Sequence, residues 1–163
     1  MYTVGIITAS DKGSKGERED LSGAIIKEIM TANGYEVKEY CIVADEQDLL
    51  EEAMIEMADK KHMNLILTTG GTGFSMRDRT PEATNAVCDR MVPGIPEAMR
   101  AYSMKITNRA MLSRATAGIR NQTLIINMPG SPKAVKENLD CILDTLEHGL
   151  AILIGDASEC ARK

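Results

Sequence analysis

Apolar positions along this chain follow two rhythms. Short apolar runs rich in β-branched residues predict buried strands at Val4 to Ala9, at Asn64 to Thr69 with Leu-Ile-Leu in its middle, and at Thr123 to Asn127. Tyr35 to Val43 is more polar and predicts a strand nearer a sheet edge. Between these runs the spacing becomes helical. From Asp20, the stripe Leu21, Ala24, Ile25, Ile29 and Met30 predicts a helix stopped by Asn33-Gly34. Leu49, Leu50, Ala53, Met54 and Met57 predict a second helix, which Asp45 could cap. Thr80-Pro81-Glu82 has the form of an N-cap, a proline at the first helical position and an acid in the first turn. A further helix is expected over Pro96 to Ile106, with Met99, Tyr102 and Ile106 on one side. Ser131 and Pro132 then open a last helix, whose inward stripe is Val135, Leu139, Ile142, Leu143 and Leu146. Ser113 to Arg120 mixes small, β-branched and basic residues and has no clear period. Residues 155–163 are expected to form a loose tail.

Strands alternating with helices in this order predict a three-layer α/β/α sandwich around a mostly parallel sheet, with residues 1–163 forming one domain. Ligands of such sheets sit beyond the carboxyl ends of the strands. The unusual loops of this chain follow four of the predicted strands: Ser10-Asp11, Ala44-Asp45-Glu46, Gly70 to Asp78, and Pro129 to Pro132. They are expected to build one site on one edge.

Composition narrows the ligand. With 163 residues, a net charge of −5, no Trp, one Phe and four Tyr, the chain has neither the basic surface nor the stacking residues of a general nucleic-acid binder. No apolar run approaches the roughly 20 residues of a membrane helix. The first residues lack the basic start and apolar core of a secretion signal, so a cytoplasmic location is expected. Four cysteines, at 41, 88, 141 and 160, form no metal-binding pair and are expected to be reduced; Cys41, Cys88 and Cys141 read as small core hydrophobes. His62 and His148 read as surface residues. The 11 methionines read as core filler.

Gly70-Gly71-Thr72-Gly73 follows a buried strand and precedes a helix, a setting in which backbone N–H groups cradle phosphate, although a plain tight turn has the same composition. Asp11, Asp45 and Asp78 lie just beyond strand ends, with Lys12, Lys15, Arg77, Arg79 and Lys133 near the same loops. Carboxylates among cations and glycine amides suit a magnesium-bound polyphosphate, because Mg²⁺ takes one or two carboxylates together with phosphate oxygens. For Asp45 the alternative is a helix cap, and for Asp78 a turn former.

The string Leu67-Thr68-Thr69-Gly70-Gly71-Thr72-Gly73, followed by Arg77-Asp78-Arg79-Thr80-Pro81-Glu82-Ala83-Thr84, resembles the signature of the molybdenum-cofactor biosynthesis family. This family includes molybdopterin adenylyltransferases of the MogA/MoaB type and the N-terminal domain of gephyrin. Glu19-Asp20-Leu21-Ser22-Gly23, Val43-Ala44-Asp45-Glu46, the stretch from Pro93 to Arg100, that from Met111 to Arg120, and Leu124 to Gly130 agree with it, so that the match spans about residues 3 to 154.

The resemblance implies a trimeric enzyme that uses ATP and Mg²⁺ to place AMP on the terminal phosphate of molybdopterin, releasing pyrophosphate, with hand-over to a second enzyme that inserts molybdate. It assigns Asp45 and Asp78 as the functional, metal-holding aspartates. It assigns Ser10, Asp11, Gly70, Gly71, Thr72, Gly73, Ser113, Arg114, Pro129, Gly130, Ser131 and Pro132 to nucleotide and pterin loops. Because such a transfer needs charge neutralised on the phosphates, Lys12, Arg77 and Arg114 are expected as charge clamps. Ala44, Phe74-Ser75-Met76 and Ser131 depart from the family's usual residues without removing a carboxylate or a loop glycine. A non-catalytic pterin carrier or trimeric scaffold, and a pyridine-nucleotide enzyme of the competence-damage type, are the competing readings.

Overall fold

The computed structural model describes residues 1–156. One six-stranded sheet organises them, in the order β2-β1-β3-β6-β5-β4. Strands β1 (Thr3–Ala9), β2 (Glu36–Val43), β3 (Leu65–Thr69) and β6 (Thr123–Met128) run parallel. β5 (Ala117–Arg120) and the two-residue β4 (Arg90–Met91) are antiparallel additions on the β6 side. The polar β2 lies at the opposite edge, as its composition predicts.

The period of two along each buried strand divides two cores. Val4, Ile6, Leu65, Leu67, Leu124 and Ile126 point to one face, where α2 (Leu21–Ala32), α5 (Gly94–Met104) and α6 (Pro132–Leu153) pack through Ile26, Met30, Met99, Val135, Leu139 and Leu146. Ile7, Ile66 and Ile125 point to the other, under α3 (Gln47–Ile55) and α4 (Thr80–Val87), and meet Leu50, Met54, Ala83 and Val87. The expected three-layer sandwich is therefore what forms. Cys41 and Cys88 pack against the second core and Cys141 against the first, all as free thiols. Burial pushes the Cys41 thiol up, and that of Cys88 to about 11, so both stay protonated and inert near neutral pH. His62 and His148 are exposed.

Several local expectations are corrected. A short helix α1 (Asp11–Ser14), capped by the Ser10 side chain, replaces the loop expected after β1. α2 buries Ser22, Gly23, Ile26 and Met30, whereas Leu21 and Ala24 of the expected stripe face outward. The reason is polar: Asp20 caps the helix through the Gly23 amide at 2.9 Å, and Ser22 Oγ donates to the Gly130 carbonyl at 2.7 Å, which turns the first helical turn toward the sheet edge. α4 starts one residue earlier than expected, with Arg79 at its N-cap and no side-chain cap. On α5, Met99 and Ser103 are buried while Tyr102 is exposed, and the helix ends at Met104, leaving the exposed Ile106 beyond it. A 3₁₀ turn over Asn108–Leu112 precedes the stretch without a clear period, whose second half forms β5.

Gly155 and Asp156, expected in a loose tail, instead close α6. Gly155 has a φ of +84°, and the amides of Gly155 and Asp156 donate to the carbonyls of Ile152 and Ala151, the paired bonds of a Schellman cap. The remainder of the expected tail lies outside the described residues. No helix among the described residues is long and apolar enough to cross a membrane.

Candidate active site at the carboxyl edge of the sheet

Strand register brings the loops together. Ala9 pairs with Val43, Thr8 with Thr69, and Thr69 with Met128, so the four parallel strands end level and their loops emerge side by side. Ser10 N–H donates to the Val43 carbonyl, and Thr69 Oγ1 donates to the Pro129 carbonyl at 2.7 Å. The second bond joins the glycine-rich turn to the Pro129–Pro132 loop as a ridge.

All four loops contribute to one main cleft, as expected, and a second, smaller cleft lies beside the ridge. The main cleft, about 660 Å³, is lined by Ser10, Asp11, Lys12, Arg18, Asp20, Ser22, Asp45, Gly70, Gly71, Asp78, Gly130 and Pro132 among others. The second, about 340 Å³ and more apolar, has Thr72, Gly73, Ser113, Pro129 and Ser131 on its walls, with Met99, Leu112 and Asn138.

Backbone demands explain the glycines. Gly70 and Gly71 have φ values of +87° and +69°. A Cβ on Gly70 would lie 2.4 Å from the Ala9 carbonyl oxygen, and one on Gly71 only 2.3 Å from Thr80 Oγ1. The turn is thus left-handed and pressed against its neighbours, which only glycine allows at both positions.

Asp45 does not cap α3, whose N-cap is Glu46 without a side-chain bond. Its Oδ2 accepts the Asp11 amide at 2.9 Å while its own amide donates to Asp11 Oδ1 at 3.0 Å, a reciprocal pair that fastens the β1 and β2 loops together. Burial pushes the Asp45 carboxyl above the usual aspartate range; the negative charges of Asp11 and Asp78 add to this, and the Asp11 amide and Arg77 oppose it. Asp78 is indeed a turn former: its Oδ2 accepts the Ser75 amide at 3.0 Å and its amide donates to the Ser75 carbonyl. It also lines the main cleft, so the turn leaves the carboxylate on the cleft wall.

The arginines are already engaged. Arg77 forks onto Asp11 at 3.0 and 2.9 Å and reaches Glu46 at 2.8 Å, and this bonding holds the Asp11 carboxyl below its ordinary range. Arg114 donates to the carbonyls of Gly73 at 2.7 Å and Asp78 at 2.9 Å and pairs with Glu82, so it clasps the base of the glycine loop and is absent from the walls of both clefts. Burial alone would raise Glu82, but the Arg114 bond, its own backbone amide and the charges of Arg114 and Arg79 together outweigh it and the carboxyl is held low. Of the proposed charge clamps, Lys12 alone lines the main cleft.

Sequence reasoning misses a further carboxylate. Asp20 lines the main cleft and accepts bonds from Thr8 Oγ1 at 2.5 Å and from the Tyr40 hydroxyl. Burial, followed by the bond to Asp20, raises the Tyr40 hydroxyl, which therefore stays protonated as a donor. The motif Asp20-Leu21-Ser22-Gly23 is the available signal for Asp20; nothing in the chain's periodicity marks Tyr40.

Among the described residues no cluster of three or more His, Cys, Asp or Glu could chelate a metal by itself. Two carboxylates converging beside glycine amides therefore leave a cation's remaining positions to ligand oxygens. That donor set fits Mg²⁺ on a polyphosphate and does not fit a resident structural metal.

Comparison with known proteins agrees with this geometry. The family model described as "Probable molybdopterin binding domain" matches residues 5–148. The chain belongs to this family. It is 45% identical over 163 residues to the molybdopterin adenylyltransferase of Helicobacter pylori strain J99, covering 98% of this chain and 92% of that protein. It is 40% identical over 154 residues to the Escherichia coli K12 molybdopterin adenylyltransferase, covering 90% and 78%. The crystal structure of the molybdopterin biosynthesis enzyme MoaB from Thermus thermophilus superposes with a TM-score of 0.90 at 46% identity, covering 95% of this chain and 98% of that one. Both clefts and their ridge lie within the matched residues of this molybdopterin-binding domain.

Proposed function

We propose that this protein is a molybdopterin adenylyltransferase, transferring AMP from ATP to the terminal phosphate of molybdopterin. The observation that carries the reading is the convergence of Asp45 and Asp78 beside the Gly70–Gly73 turn, in a chain that matches adenylyltransferases along nearly its whole length. An oxygen of the molybdopterin phosphate attacks the α-phosphorus. The bond between that phosphorus and the bridging oxygen breaks, and pyrophosphate leaves with the electron pair. The attacking oxygen is already anionic near neutral pH, so no strong base is needed. What the residues must supply is alignment and neutralised charge.

Asp45 and Asp78 would hold Mg²⁺, which when bound neutralises phosphate oxygens. The Gly70 and Gly71 amides and Lys12, on the walls of the same cleft, would donate to these oxygens, with Thr72 and Gly73 continuing the turn toward the second cleft. Asp11, Asp20 and Ser22 hold the loops that carry these groups. The pterin ring lies in the second cleft, where Met99 and Leu112 offer apolar surface and Asn138 and Ser113 polar edges. Homotrimeric assembly, hand-over to a molybdate-inserting enzyme and a cytoplasmic location complete the reading. Exposed Tyr102, Met104, Ile106, Met111 and Leu112, adjoining the second cleft, support assembly.

The test is pyrophosphate release from ATP and Mg²⁺, with and without molybdopterin. Wild type is expected to be pterin-dependent. Asp45→Asn and Asp78→Asn are expected to lower turnover on the order of 100-fold or more with unchanged circular dichroism. Pterin binding without any pyrophosphate release by the wild type would replace the enzyme with a carrier.

A further inference from the structure

A third cleft lies beyond Asp45. It has a volume of about 440 Å³ and is lined by Asp45, Glu46, Gln47, Asp48, Met76, Arg77 and Arg79. Asp45 belongs to its wall and to that of the main cleft. The second cleft lies beside the β6 and β3 loops, the main one spans the β6, β3, β1 and β2 loops, and the third lies between the β2 loop and the Met76–Arg79 end of the β3 loop, joined to the main one at Asp45.

The cations of the third cleft are not equivalent. Arg77 is tied to Asp11 and Glu46. Arg79 is exposed and makes no ion pair or side-chain hydrogen bond among the described residues; its positive charge reaches Glu82 only at long range. Nothing in the fold of the loop uses its guanidinium.

From this arrangement we propose that the third cleft receives the leaving pyrophosphate, with Arg79 as its principal anchor. The inference rests on the adenylyltransferase reading and deepens it. Phosphoryl-group displacement places the attacking and leaving oxygens roughly in line. If the pterin phosphate arrives from the second cleft and the α-phosphate lies in the main one, the β- and γ-phosphates must point away, past Asp45. The third cleft is what they meet. A guanidinium presents a fork of donors matched to phosphate oxygens, and an unpaired one gives up no existing bond to do so. Asp45, Glu46 and Asp48 outnumber the two arginines there, so the cleft accepts pyrophosphate as its magnesium complex and rejects the bare anion. The same balance favours release, because nothing in the cleft holds the product by charge alone.

Calorimetric titration with magnesium pyrophosphate, and separately with AMP, tests this without turnover. Wild type should bind both. Arg79→Gln should weaken pyrophosphate about tenfold and leave AMP unchanged, and Arg79→Lys should recover part of the loss. Unchanged pyrophosphate affinity in Arg79→Gln, equal weakening of both ligands, or absence of pyrophosphate binding by the wild type would each overturn the assignment. Arg79-dependent pyrophosphate binding in a wild type that shows no pterin-dependent turnover would uphold the cleft and refute the enzyme reading, so the two failures are distinguishable.

Discussion

Asp45 illustrates how one side chain is set against the stability of its own fold. Its carboxyl is half-buried and faces Asp11 and Asp78, so its folded pKa lies above its unfolded value. The charged form is favoured less in the folded than in the unfolded chain. The stabilising balance is present below the unfolded pKa and is lost as pH rises through the folded one, leaving a deficit at neutral pH. Asn keeps an oxygen to accept the Asp11 amide and removes the charge. Asp45→Asn is therefore expected to melt at a higher temperature than wild type at pH 7, and the gain should shrink as pH falls through the folded pKa and vanish below the ordinary aspartate range, where the carboxyl is protonated in both states. Thermal unfolding followed across this range checks it, and a lower melting temperature at pH 7 would mean that the Asp45 charge is stabilising. The same substitution is expected to lower the proposed activity, so stability and function pull in opposite directions at this residue. Asp11 has the opposite balance, since Arg77 holds its carboxyl low.

At the level of elements, the sequence is legible where hydrophobic burial decides the outcome and illegible where polar bonds do. Leu65 to Leu67 and Leu124 to Ile126 announce strands because both faces of a central parallel strand are apolar. The α6 stripe Val135, Leu139, Ile142 and Leu146 is equally plain. The phase of α2 is hidden because Ser22 and Gly23, polar or featureless in a hydrophobic count, are buried by bonds to Gly130 and Asp20 that no local pattern records. The site's aspartates are legible from their places after strands. The roles of Arg77 and Arg114 are not, because their partners Asp11 and Glu82 lie 66 and 32 residues away. One glycine on α6 serves none of these constraints. Gly149 lies in the last turns of the helix with an ordinary backbone, and a Cβ added there would meet nothing within 4 Å. Gly149→Ala is expected to stabilise the protein by about 0.5–1 kcal/mol through helix propensity. Denaturant titration should show a higher midpoint with an unchanged slope; a lower midpoint would reveal a neighbour at this position.

For the whole molecule, the tension is between a chain of net charge −5 and a surface that leaves large apolar residues uncovered. Scattered exposed hydrophobics need no explanation, but Tyr102, Met104, Ile106, Met111 and Leu112 come from consecutive elements, α5 and the 3₁₀ turn after it. Leu112 also lines the second cleft, so a neighbouring copy seated on this surface would border the proposed pterin site. Closed rotational symmetry lets such a heterologous contact repeat three times without leaving an open face. The protein is accordingly expected to sediment as a trimer, and Ile106→Glu combined with Met111→Glu to sediment as a monomer of unchanged circular dichroism. Both side chains are about half exposed or more in one chain, so the fold itself tolerates the charges. In an interface each would be an unpaired buried charge, which association cannot overcome. Assembly and catalysis then separate in one experiment. If the monomer loses molybdopterin affinity but keeps that for AMP, the neighbouring copy shapes the pterin cleft. A trimer that survives both glutamates would place the interface on another face.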